Sequence, residues 1–458
     1  MNFQSVHIIG IGGISMSGIA KILINRGYKV TGSDIKRNDQ TELLKKRGAD
    51  IYIGHQASNI KNPEAVVYTN AVEKDNVELL AAQTKDIKIF KRAEFLSELF
   101  KDKETIAVSG THGKTTTTSM LATIFVNANN DPSVMIGGNL DLIGGNIKNG
   151  DGNIFITEAD ESDGSLIYFD PKYAVLSNIE WDHFNYYKNI DEVINKFTEF
   201  IDKIPSDGAL ILWENILQEF HQFKKYKDII YSFGFENADY TARNIEMKSY
   251  TSYFEIFKNN KKIASINLNV PGRHNILNAL AAFAVSKKAG LQTKEIIDGI
   301  KKYKGVKRRF EKKGQFNKAL IVDDYAHHPT EIINTIKTAK KTDHNKLYVV
   351  FQPHRYSRTK NLMKEFSESF DEVDELILTD IYSASEKPIH GVSSKKLYEL
   401  IKKHKKKNNL NFTVNYIREF VDIKKHLIKH LQSNDLLLTV GAGNVYEIGE
   451  DLVGVEHE

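Results

Sequence analysis

The sequence predicts an α/β protein made of three domains. The chain has 458 residues, more than one hydrophobic core ordinarily fills, and domains of roughly 100–200 residues suggest about three. Apolar, strand-like runs alternate with helical stretches along most of the sequence, which is typical of parallel sheets covered by helices. The order strand, glycine turn, helix begins near the first residue and begins again after residue 100.

The strand and helix pattern divides the chain near residues 100 and 305. SVHIIGIGG reads as a strand and a glycine turn, SGIAKILINRG as the following helix, and YKVTGSD as the next strand. After the charged segment 97–104, TIAVSGTHGKTTTTSMLATIF repeats strand, loop and helix. Beyond the helices VPGRHNILNALAAFAVSKKAG and TKEIIDGIKKYKG, the strands KALIVDD, KLYVVFQ, ELILTD and DLLLTVG alternate with helices. We therefore expect domains at 1–100, 101–305 and 306–458.

Composition narrows the class of protein. Hydrophobic residues make up 41% and charged residues 27%, the balance of a globular protein rather than a disordered one. The net charge of +4, from 63 basic and 59 acidic residues, gives no electrostatic case for nucleic-acid binding. The lysine run at 402–409 is typical of a solvated helix end. Because the sequence has no cysteine, disulfides, cysteine zinc sites and thiol catalysis are excluded.

The start of the sequence and its apolar runs indicate neither an export signal nor a membrane segment. MNFQSVHIIGIGG lacks the basic region of a signal peptide and enters a strand almost at once. Apolar runs such as 279–285 are far shorter than the roughly 20 residues that a membrane-spanning helix needs. We therefore expect a cytoplasmic protein without membrane or nucleic-acid partners.

The first glycine loop, GIGGIS, nearly matches a dinucleotide-binding fingerprint but has Ser15 where the third glycine belongs. Its glycines, Gly10, Gly12 and Gly13, let backbone N–H groups approach a pyrophosphate at a helix N-terminus, where the helix dipole favours anions. Asp34, about 20 residues further on, can accept a hydrogen bond from a ribose hydroxyl. NAD(P), another nucleotide diphosphate and a tight turn without a ligand all stay open, and the loop favours a diphosphate.

The second glycine loop, SGTHGKTTT, is a shortened phosphate-binding loop, since the Walker A pattern would place a glycine at Val108. Gly110 and Gly113 leave the backbone free to wrap phosphate oxygens. Lys114 supplies a positive charge for the β- and γ-phosphates, and Thr115 offers a hydroxyl to Mg²⁺. A strand precedes the loop and a helix follows it, as phosphate loops require. The alternative is a threonine-rich helix cap.

Polar side chains follow the next two predicted strands. The first strand, GNIFI, leads into four carboxylates: Glu158, Asp160, Glu161 and Asp163. The second, YAVLSN, is followed by Asp182 and His183. Because the carboxyl ends of parallel strands lie at one edge, we expect these groups beside the phosphate loop, where oxygen ligands suit Mg²⁺. A solvated acidic turn, and for His183 a surface or core histidine, are the alternatives.

Seven motifs follow one another in a fixed order: GTHGKTTT, TEADESD, WDH, PGRHNILNALAA, RRFE, DDYAHHPTE and QPHRYSRT. On these motifs the whole chain resembles the Mur ligases of bacterial peptidoglycan synthesis, and the shortened loop is that family's own form of the ATP site. The resemblance implies a Rossmann-like N-terminal domain for a UDP-sugar. It further implies a central P-loop ATPase domain with a mostly parallel sheet and a Rossmann-like C-terminal domain for an amino acid.

The resemblance also implies the residues that bind ATP and Mg²⁺. The ATP loop corresponds to Gly110, Thr111, His112, Gly113, Lys114, Thr115 and Thr116. Beyond the loop, the implied contacts are adenine at Asn275 and Asn278, the phosphates at Arg309 and the ribose at Asp324. Thr115 and Glu158 would hold one magnesium ion and His183 a second. Histidine is an unusual ligand for Mg²⁺, so this last role depends on the resemblance alone.

Two further sets of residues follow from the resemblance. The residues implied for UDP are Gly10, Gly12, Gly13, Asp34 and His55, and those implied for the amino acid are Tyr325, His327, Arg355 and Arg358. Arginine suits a carboxylate, since its planar fork binds both oxygens. The catalytic set is Lys114, Glu158, His183, Arg309 and His327. We expect His327 to assist loss of the amine proton, although such a histidine can also hold a carboxylate.

Within the family, GIGGISMSGIA and DDYAHHPTE imply ATP-dependent ligation of L-alanine to the lactyl carboxylate of UDP-N-acetylmuramate through an acyl phosphate. Both substrates are small molecules, and we expect a monomer or a weak homodimer. One alternative is a recycling ligase that attaches a whole tripeptide to the same UDP-sugar. From another class, an NAD-dependent dehydrogenase would explain the first glycine loop but would leave GTHGKTTT without a purpose.

Overall fold

A computed structural model of the chain describes residues 3–69, 71–184, 186–248 and 250–455. Three sheets, of five, ten and six strands, follow one another along the sequence. The prediction of an α/β protein with three domains is confirmed. The predicted boundaries near residues 100 and 305 fall in the connections between successive sheets. Within the described residues, no helix has the length and apolar content needed to cross a lipid bilayer.

The N-terminal domain alternates strands and helices around a fully parallel sheet. Its elements are β1 (Ser5–Ile9), α1 (Ile14–Asn25), β2 (Lys29–Asp34), α2 (Asp39–Lys46), β3 (Asp50–Ile53), β4 (Ala65–Tyr68), α3 (Val77–Thr84), β5 (Lys88–Lys91) and α4 (Arg92–Leu99). The strand order is β3-β2-β1-β4-β5. The order reverses between β1 and β4, and ligands of such sheets bind outside the carboxyl ends of the strands at this point. The first glycine loop follows β1 there.

The middle domain combines a parallel centre with antiparallel edges. Its elements are β6 (Glu104–Ser109), α5 (Lys114–Asn127), β7 (Ser133–Leu140), β8 (Gly145–Lys148), β9 (Ile154–Glu158), β10 (Tyr173–Leu176), α6 (Ile190–Ile201), β11 (Ala209–Trp213), α7 (Glu214–Glu219), β12 (Ile230–Gly234), β13 (Tyr240–Lys248), β14 (Thr251–Lys258), β15 (Lys261–Leu268), α8 (Arg273–Lys288) and α9 (Thr293–Lys302). The order is β15-β14-β13-β12-β11-β10-β6-β9-β7-β8. The hairpins β13–β14–β15 and β7–β8 are antiparallel, and the other pairs are parallel. β6 therefore lies between β9 and β10, so the phosphate loop is flanked by both polar strand ends.

The C-terminal domain is a second parallel sheet with one antiparallel edge strand. Its elements are β16 (Glu311–Phe316), β17 (Ala319–Asp324), α10 (Pro329–Ala339), β18 (Leu347–Phe351), α11 (Tyr356–Asn361), α12 (Met363–Ser367), β19 (Glu375–Leu378), α13 (Ser394–Lys407), β20 (Thr413–Tyr416), α14 (Phe420–His430), β21 (Leu436–Val440) and α15 (Tyr446–Val455). The order is β16-β17-β21-β18-β19-β20, with only β16 antiparallel to its neighbour among these strands. The continuous apolar runs of β18 and β21 are completely buried, as expected for central strands covered on both faces.

The two domain junctions differ in chemistry. The N-terminal and middle domains share an apolar core, in which the rings of Phe100 and Phe155 stack with centroids 4.2 Å apart. The middle and C-terminal domains meet through polar side chains, including an ion pair between Asp182 and Arg358. This polar junction lies at the carboxyl ends of strands from both domains, where the sequence predicts the site.

Candidate active site

The phosphate loop connects β6 to α5 and depends on two glycines. Gly110 and Gly113 have φ angles of +124° and +83°, a region that side chains other than glycine rarely adopt. A Cβ atom at Gly110 would also overlap the hydroxyl of Ser177. The loop therefore brings its backbone against the end of β10 and starts α5 at Lys114. A helix N-terminus with free N–H groups is suited to bind phosphate.

Lys114 lies at the centre of a carboxylate cluster. Its Nζ donates to Glu161 Oε2 at 2.7 Å and to the carbonyl of Gly110 at 2.7 Å, and it lies 3.9 Å from Asp160 Oδ1. Burial opposes the charged form, but the neighbouring carboxylates outweigh it and raise the pKa of Lys114 above its ordinary value. The lysine is therefore a cation at neutral pH.

The predicted magnesium ligands Thr115 and Glu158 are in contact. Thr115 Oγ1 donates to Glu158 Oε2 at 3.1 Å, and the backbone N–H of Gly137 donates to Glu158 Oε1 at 2.5 Å. Burial raises the pKa of Glu158, because a carboxylate loses hydration there. One lysine faces three carboxylates in this cluster, Glu158, Asp160 and Glu161. The excess negative charge and the oxygen donors fit a magnesium ion.

His183 reaches the cluster from the end of β10. Its Nε2 lies 3.3 Å from Glu161 Oε1 and 3.9 Å from Asp182 Oδ2. The backbone of His183 has a φ of +55°, a conformation uncommon for non-glycine residues. The structure thus places His183 beside Glu161, which in turn binds Lys114.

A cavity between the middle and C-terminal domains brings together the residues predicted for the nucleotide. Its lining includes these residues of the phosphate loop and of the predicted nucleotide set: His112, Gly113, Thr116, Asn275, Asn278, Arg309 and Asp324. Asp324 accepts the backbone N–H groups of Phe310 at 2.8 Å and Ala326 at 2.7 Å. Burial raises the pKa of Asp324 to about 6. The guanidinium of Arg309 lies over the Tyr325 ring, 5.0 Å from its centroid.

Tyr325 and His327 follow β17 at the same junction. His327 Nδ1 lies 3.0 Å from the carbonyl oxygen of Tyr325. A carbonyl only accepts, so this nitrogen carries the proton and Nε2 carries the lone pair. Burial lowers the pKa of His327 to about 3. At neutral pH the ring is therefore neutral and offers a hydrogen-bond acceptor.

The two predicted arginines have different surroundings. Arg358 binds Asp182 of the middle domain through two hydrogen bonds, Nη2 to Oδ2 at 3.0 Å and Nε to Oδ1 at 3.3 Å. Both side chains are buried, and the guanidinium outweighs desolvation to hold the pKa of Asp182 well below its usual range. Arg355 is exposed at the start of α11. The pairing of Arg358 with Asp182 has no sequence signal, because 176 residues separate them.

A second polar cluster at the junction includes two glutamates that were not predicted. His112 Nδ1 lies 3.2 Å from Glu331 Oε1, and its Nε2 lies 3.4 Å from Glu180 Oε2 without hydrogen-bond alignment. Burial favours the neutral form of His112, but the carboxylates of Glu331 and Glu180 outweigh this effect and raise the pKa of His112 to about 10. Donor atoms of His112, Glu180 and His328 lie within 4.8 Å of one another. A capping glutamate three residues after His328 was the available sequence signal for Glu331.

The predicted UDP residues lie at the carboxyl edge of the N-terminal sheet. Asp34 Oδ2 accepts the N–H of Gly12 at 2.8 Å, so this carboxylate holds the glycine loop. His55 follows β3, with Nδ1 2.9 Å from Ser33 Oγ. A cleft of about 480 Å³ runs from Gly13 to Asp160 of the middle domain. Gly13 lines this cleft, whereas Gly10, Gly12, Asp34 and His55 are not among its lining residues.

Comparison with known proteins follows the same three-part division. The family model for the Mur ligase family catalytic domain matches residues 5–104. The models for the Mur ligase middle domain and the Mur ligase glutamate ligase domain match residues 108–286 and 308–443. The chain belongs to the Mur ligase family, as its ordered motifs predict.

Individual relatives and solved structures show how similar the chain is to particular members of the family. The chain is 47% identical over 449 residues to the UDP-N-acetylmuramate–L-alanine ligase of Clostridium acetobutylicum, covering 98% of this chain and 97% of that protein. The crystal structure of the UDP-N-acetylmuramate–alanine ligase of Thermotoga maritima matches with a TM-score of 0.82 and 28% identity, covering 99% of each chain. A murein peptide ligase from Psychrobacter arcticus matches with a TM-score of 0.68 and 25% identity, covering 98% of each chain.

Proposed function

We propose that this protein joins L-alanine to the lactyl carboxylate of UDP-N-acetylmuramate at the expense of ATP. The products are UDP-N-acetylmuramoyl-L-alanine, ADP and phosphate, and the reaction belongs to peptidoglycan synthesis. Relatives named UDP-N-acetylmuramate–L-alanine ligase match nearly the whole chain at 45–47% identity. We further propose a cytoplasmic location and a monomer or weak homodimer.

One structural observation carries the proposal. The phosphate loop and its carboxylates border two spaces: Glu158 and Asp160 line pockets that open toward the N-terminal domain, and Thr116 lines the cavity at the C-terminal domain. A UDP-sugar held at the first glycine loop, a nucleotide in the cavity and an amine near His327 can therefore meet at one point. Such positioning converts a reaction of separate molecules into one within a complex.

ATP solves a specific chemical problem in this reaction. A carboxylate is a poor electrophile, and hydroxide is a poor leaving group. Transfer of the γ-phosphoryl group to the lactyl carboxylate gives an acyl phosphate. The amine of alanine then attacks the acyl carbon, and the tetrahedral intermediate collapses to the amide as phosphate leaves. Phosphoryl transfer needs positioning and charge neutralisation more than covalent help from the protein.

The residues of the site supply those two requirements. Lys114 is a partly buried cation at the start of α5, and Arg309 lines the cavity; both can neutralise charge on the phosphates. Thr115 and Glu158 would hold Mg²⁺, which supplies further neutralisation of phosphate charge. The resemblance adds His183 as a ligand of a second magnesium ion, and the 3.3 Å distance between His183 Nε2 and Glu161 Oε1 supports this role.

His327 and the arginines can position the amino acid. The neutral His327 ring has its proton on Nδ1, so Nε2 can accept a hydrogen bond from the amine. A group with a pKa of about 3 is a weak base, which favours orientation of the amine over removal of its proton. The exposed Arg355 can bind the α-carboxylate, since Arg358 already binds Asp182.

The alternatives predict different products. A tripeptide recycling ligase would prefer the tripeptide over alanine, and an NAD-dependent dehydrogenase would not consume ATP. The test mixes protein, ATP, Mg²⁺ and UDP-N-acetylmuramate with a panel of amino acids or the tripeptide, and the product is identified by mass. We expect ADP release and a product mass that depend on alanine. Equal kcat/KM for the tripeptide, or no ADP release with any amine, would contradict the proposal.

A further inference from the structure

A completely buried carboxylate, Glu78 of α3, lies behind the predicted UDP residues of the N-terminal domain. Its Oε2 accepts the hydroxyl of Ser33 at 2.5 Å, and its Oε1 accepts the side chain of Asn59 at 2.6 Å and the backbone N–H of Gln56 at 3.2 Å. His7 Nε2 lies 3.3 Å from Oε2. Burial opposes ionisation, but these donors outweigh it and lower the pKa of Glu78 to about 2. At neutral pH Glu78 is therefore an anion that only accepts hydrogen bonds.

The ionised carboxylate determines the direction of the next hydrogen bond. Ser33 has one hydroxyl proton, and that proton is donated to Glu78. Ser33 Oγ also lies 2.9 Å from His55 Nδ1. With its only proton committed, the hydroxyl oxygen must accept from His55, so Nδ1 carries the proton. A neutral His55 ring then has its lone pair on Nε2.

The location of His55 gives this tautomer a consequence for binding. His55 follows β3 at the carboxyl edge of the sheet, beside the end of β2 and Asp34. Its side chain is about one-fifth exposed, at 19%, and Nε2 lies across the ring from the buried contact with Ser33. The loop that carries it is held by Asn59, whose side chain donates to the carbonyl of Gly54 at 3.1 Å.

We propose that Glu78 is a positioning residue that acts through Ser33 to fix His55 in the Nδ1–H tautomer, so that Nε2 accepts a hydrogen bond from the uridine of the UDP-sugar. The proposal rests on the proposed function for the identity of this ligand. Two groups of uridine share the required chemistry, the imide N–H of uracil and a ribose hydroxyl. Cytidine lacks the first and a 2′,3′-dideoxyribose analogue lacks the second, so the two sources can be distinguished.

The tautomer is tested on the full-length protein without substrate. In protein labelled with ¹⁵N-histidine, long-range ¹H–¹⁵N correlation spectra distinguish a protonated from an unprotonated ring nitrogen, and His55→Gln identifies the signals. We expect Nδ1–H in the wild type. Because Glu78 Oε2 itself lies 3.6 Å from His55 Nδ1, we expect a partial shift toward the other tautomer in Ser33→Ala and a larger shift in the double variant Ser33→Ala/Glu78→Gln. A wild-type His55 protonated on Nε2 alone would overturn the proposal, whatever the protein catalyses.

The kinetic test separates positioning from stability. Glu78→Gln and Ser33→Ala are expected to raise the KM for UDP-N-acetylmuramate about tenfold, the effect of one hydrogen bond, and to leave kcat and the KM for ATP unchanged. Ser33→Ala keeps the Glu78 carboxylate with its other donors, so it serves if Glu78→Gln fails to fold. The matched control is Glu64→Gln, an exposed carboxylate that binds backbone N–H groups of Gln4 and Ser5.

The source of the hydrogen bond is tested by binding of UDP, CDP and 2′,3′-dideoxy-UDP, measured by calorimetry with the wild type and Ser33→Ala. The penalty of Ser33→Ala is expected to vanish for the analogue that lacks the group bound by His55. Ser33→Ala binding UDP as tightly as the wild type would overturn the proposal. A wild type that binds no UDP and shows no turnover would contradict the proposed function. The tautomer measurement would still show whether Glu78 and Ser33 fix the tautomer of His55.

Discussion

The buried ion pair between Asp182 and Arg358 joins the middle and C-terminal domains, and its removal should weaken the contact between these domains at the active site. The side chains are only 4% and 6% exposed, and two hydrogen bonds of 3.0 and 3.3 Å connect them. Arg358 also donates to His354 Nδ1 at 3.2 Å. The substitution Asp182→Asn keeps the size of the side chain but leaves the guanidinium without its counter-charge.

The magnitude follows from the burial of the pair. Leaving one charge of a buried pair without its partner costs about 3–5 kcal/mol, and the domains can avoid this cost only by separating. The reaction needs the middle and C-terminal domains in contact. The substitution should therefore raise the free-energy barrier for kcat/KM with alanine by at least about 3 kcal/mol, which lowers kcat/KM by about two orders of magnitude. The ATP affinity should fall less than kcat/KM for alanine, because the phosphate loop, Asn275 and Asn278 stay on the middle domain while only part of the nucleotide cavity, including Arg309 and Asp324, lies on the C-terminal domain.

The assay compares kcat/KM for alanine with the ATP affinity measured by calorimetry. Asp170→Asn is the matched control, because Asp170 is an exposed carboxylate of the same domain that pairs with Lys203. If Arg358 served only the α-carboxylate of alanine, removal of a competing carboxylate would preserve or increase kcat/KM. An unchanged or higher kcat/KM in Asp182→Asn would therefore refute the reasoning.

Three other perturbations have expected results. Lys114→Ala removes the partly buried cation among three carboxylates and should lower alanine-dependent ADP release at saturating ATP by about 10²–10³-fold or more. Turnover near the wild-type rate would contradict the role assigned to Lys114. Burial lowers the pKa of His327 to about 3, below the ordinary value of about 6.5, so the unfolded chain binds more protons between these values and stability is lost as the pH falls through this window. From pH 7 to pH 5, the free energy of unfolding measured in urea should fall by about 2 kcal/mol more in the wild type than in His327→Gln. Equal falls in the two proteins would contradict a His327 ring that stays neutral in the folded state. Gly110→Ala places a side chain at a φ of +124° and against Ser177, so it should weaken ATP binding at least about tenfold. The control Gly290→Ala has a φ of +95° and open space around its Cβ, and it should leave ATP binding unchanged. Equal ATP affinities in the two variants would argue against a loop that depends on Gly110.

The sequence predicts much of the fold because local pattern determines it. The strand before the phosphate loop and the two strands that lead into carboxylates are short apolar runs, and they form β6, β9 and β10 as neighbours in one sheet. Parallel neighbours end at one edge, so Thr115 and Glu158 come into contact. The antiparallel strands β13 to β15 were not predicted, although residues of β14 and β15 alternate between buried and less buried positions.

Contacts across domains could not be predicted from sequence. The partners His112 and Glu331, like Asp182 and Arg358, are far apart in the chain, and no periodicity relates them. Asp34 illustrates a different limit, because an aspartate at a strand end can face a ligand or its own loop. Here it accepts the N–H of Gly12, and only the backbone geometry of the loop distinguishes the two arrangements.

The central claim is that the lactyl carboxylate of the UDP-sugar takes the γ-phosphoryl group of ATP before the amine attacks. The most direct measurement uses UDP-N-acetylmuramate labelled with ¹⁸O in that carboxylate, with alanine, ATP and Mg²⁺, and determines the isotope content of the released phosphate. The account predicts that one labelled oxygen appears in phosphate for each amide formed. Unlabelled phosphate with normal amide formation would contradict it.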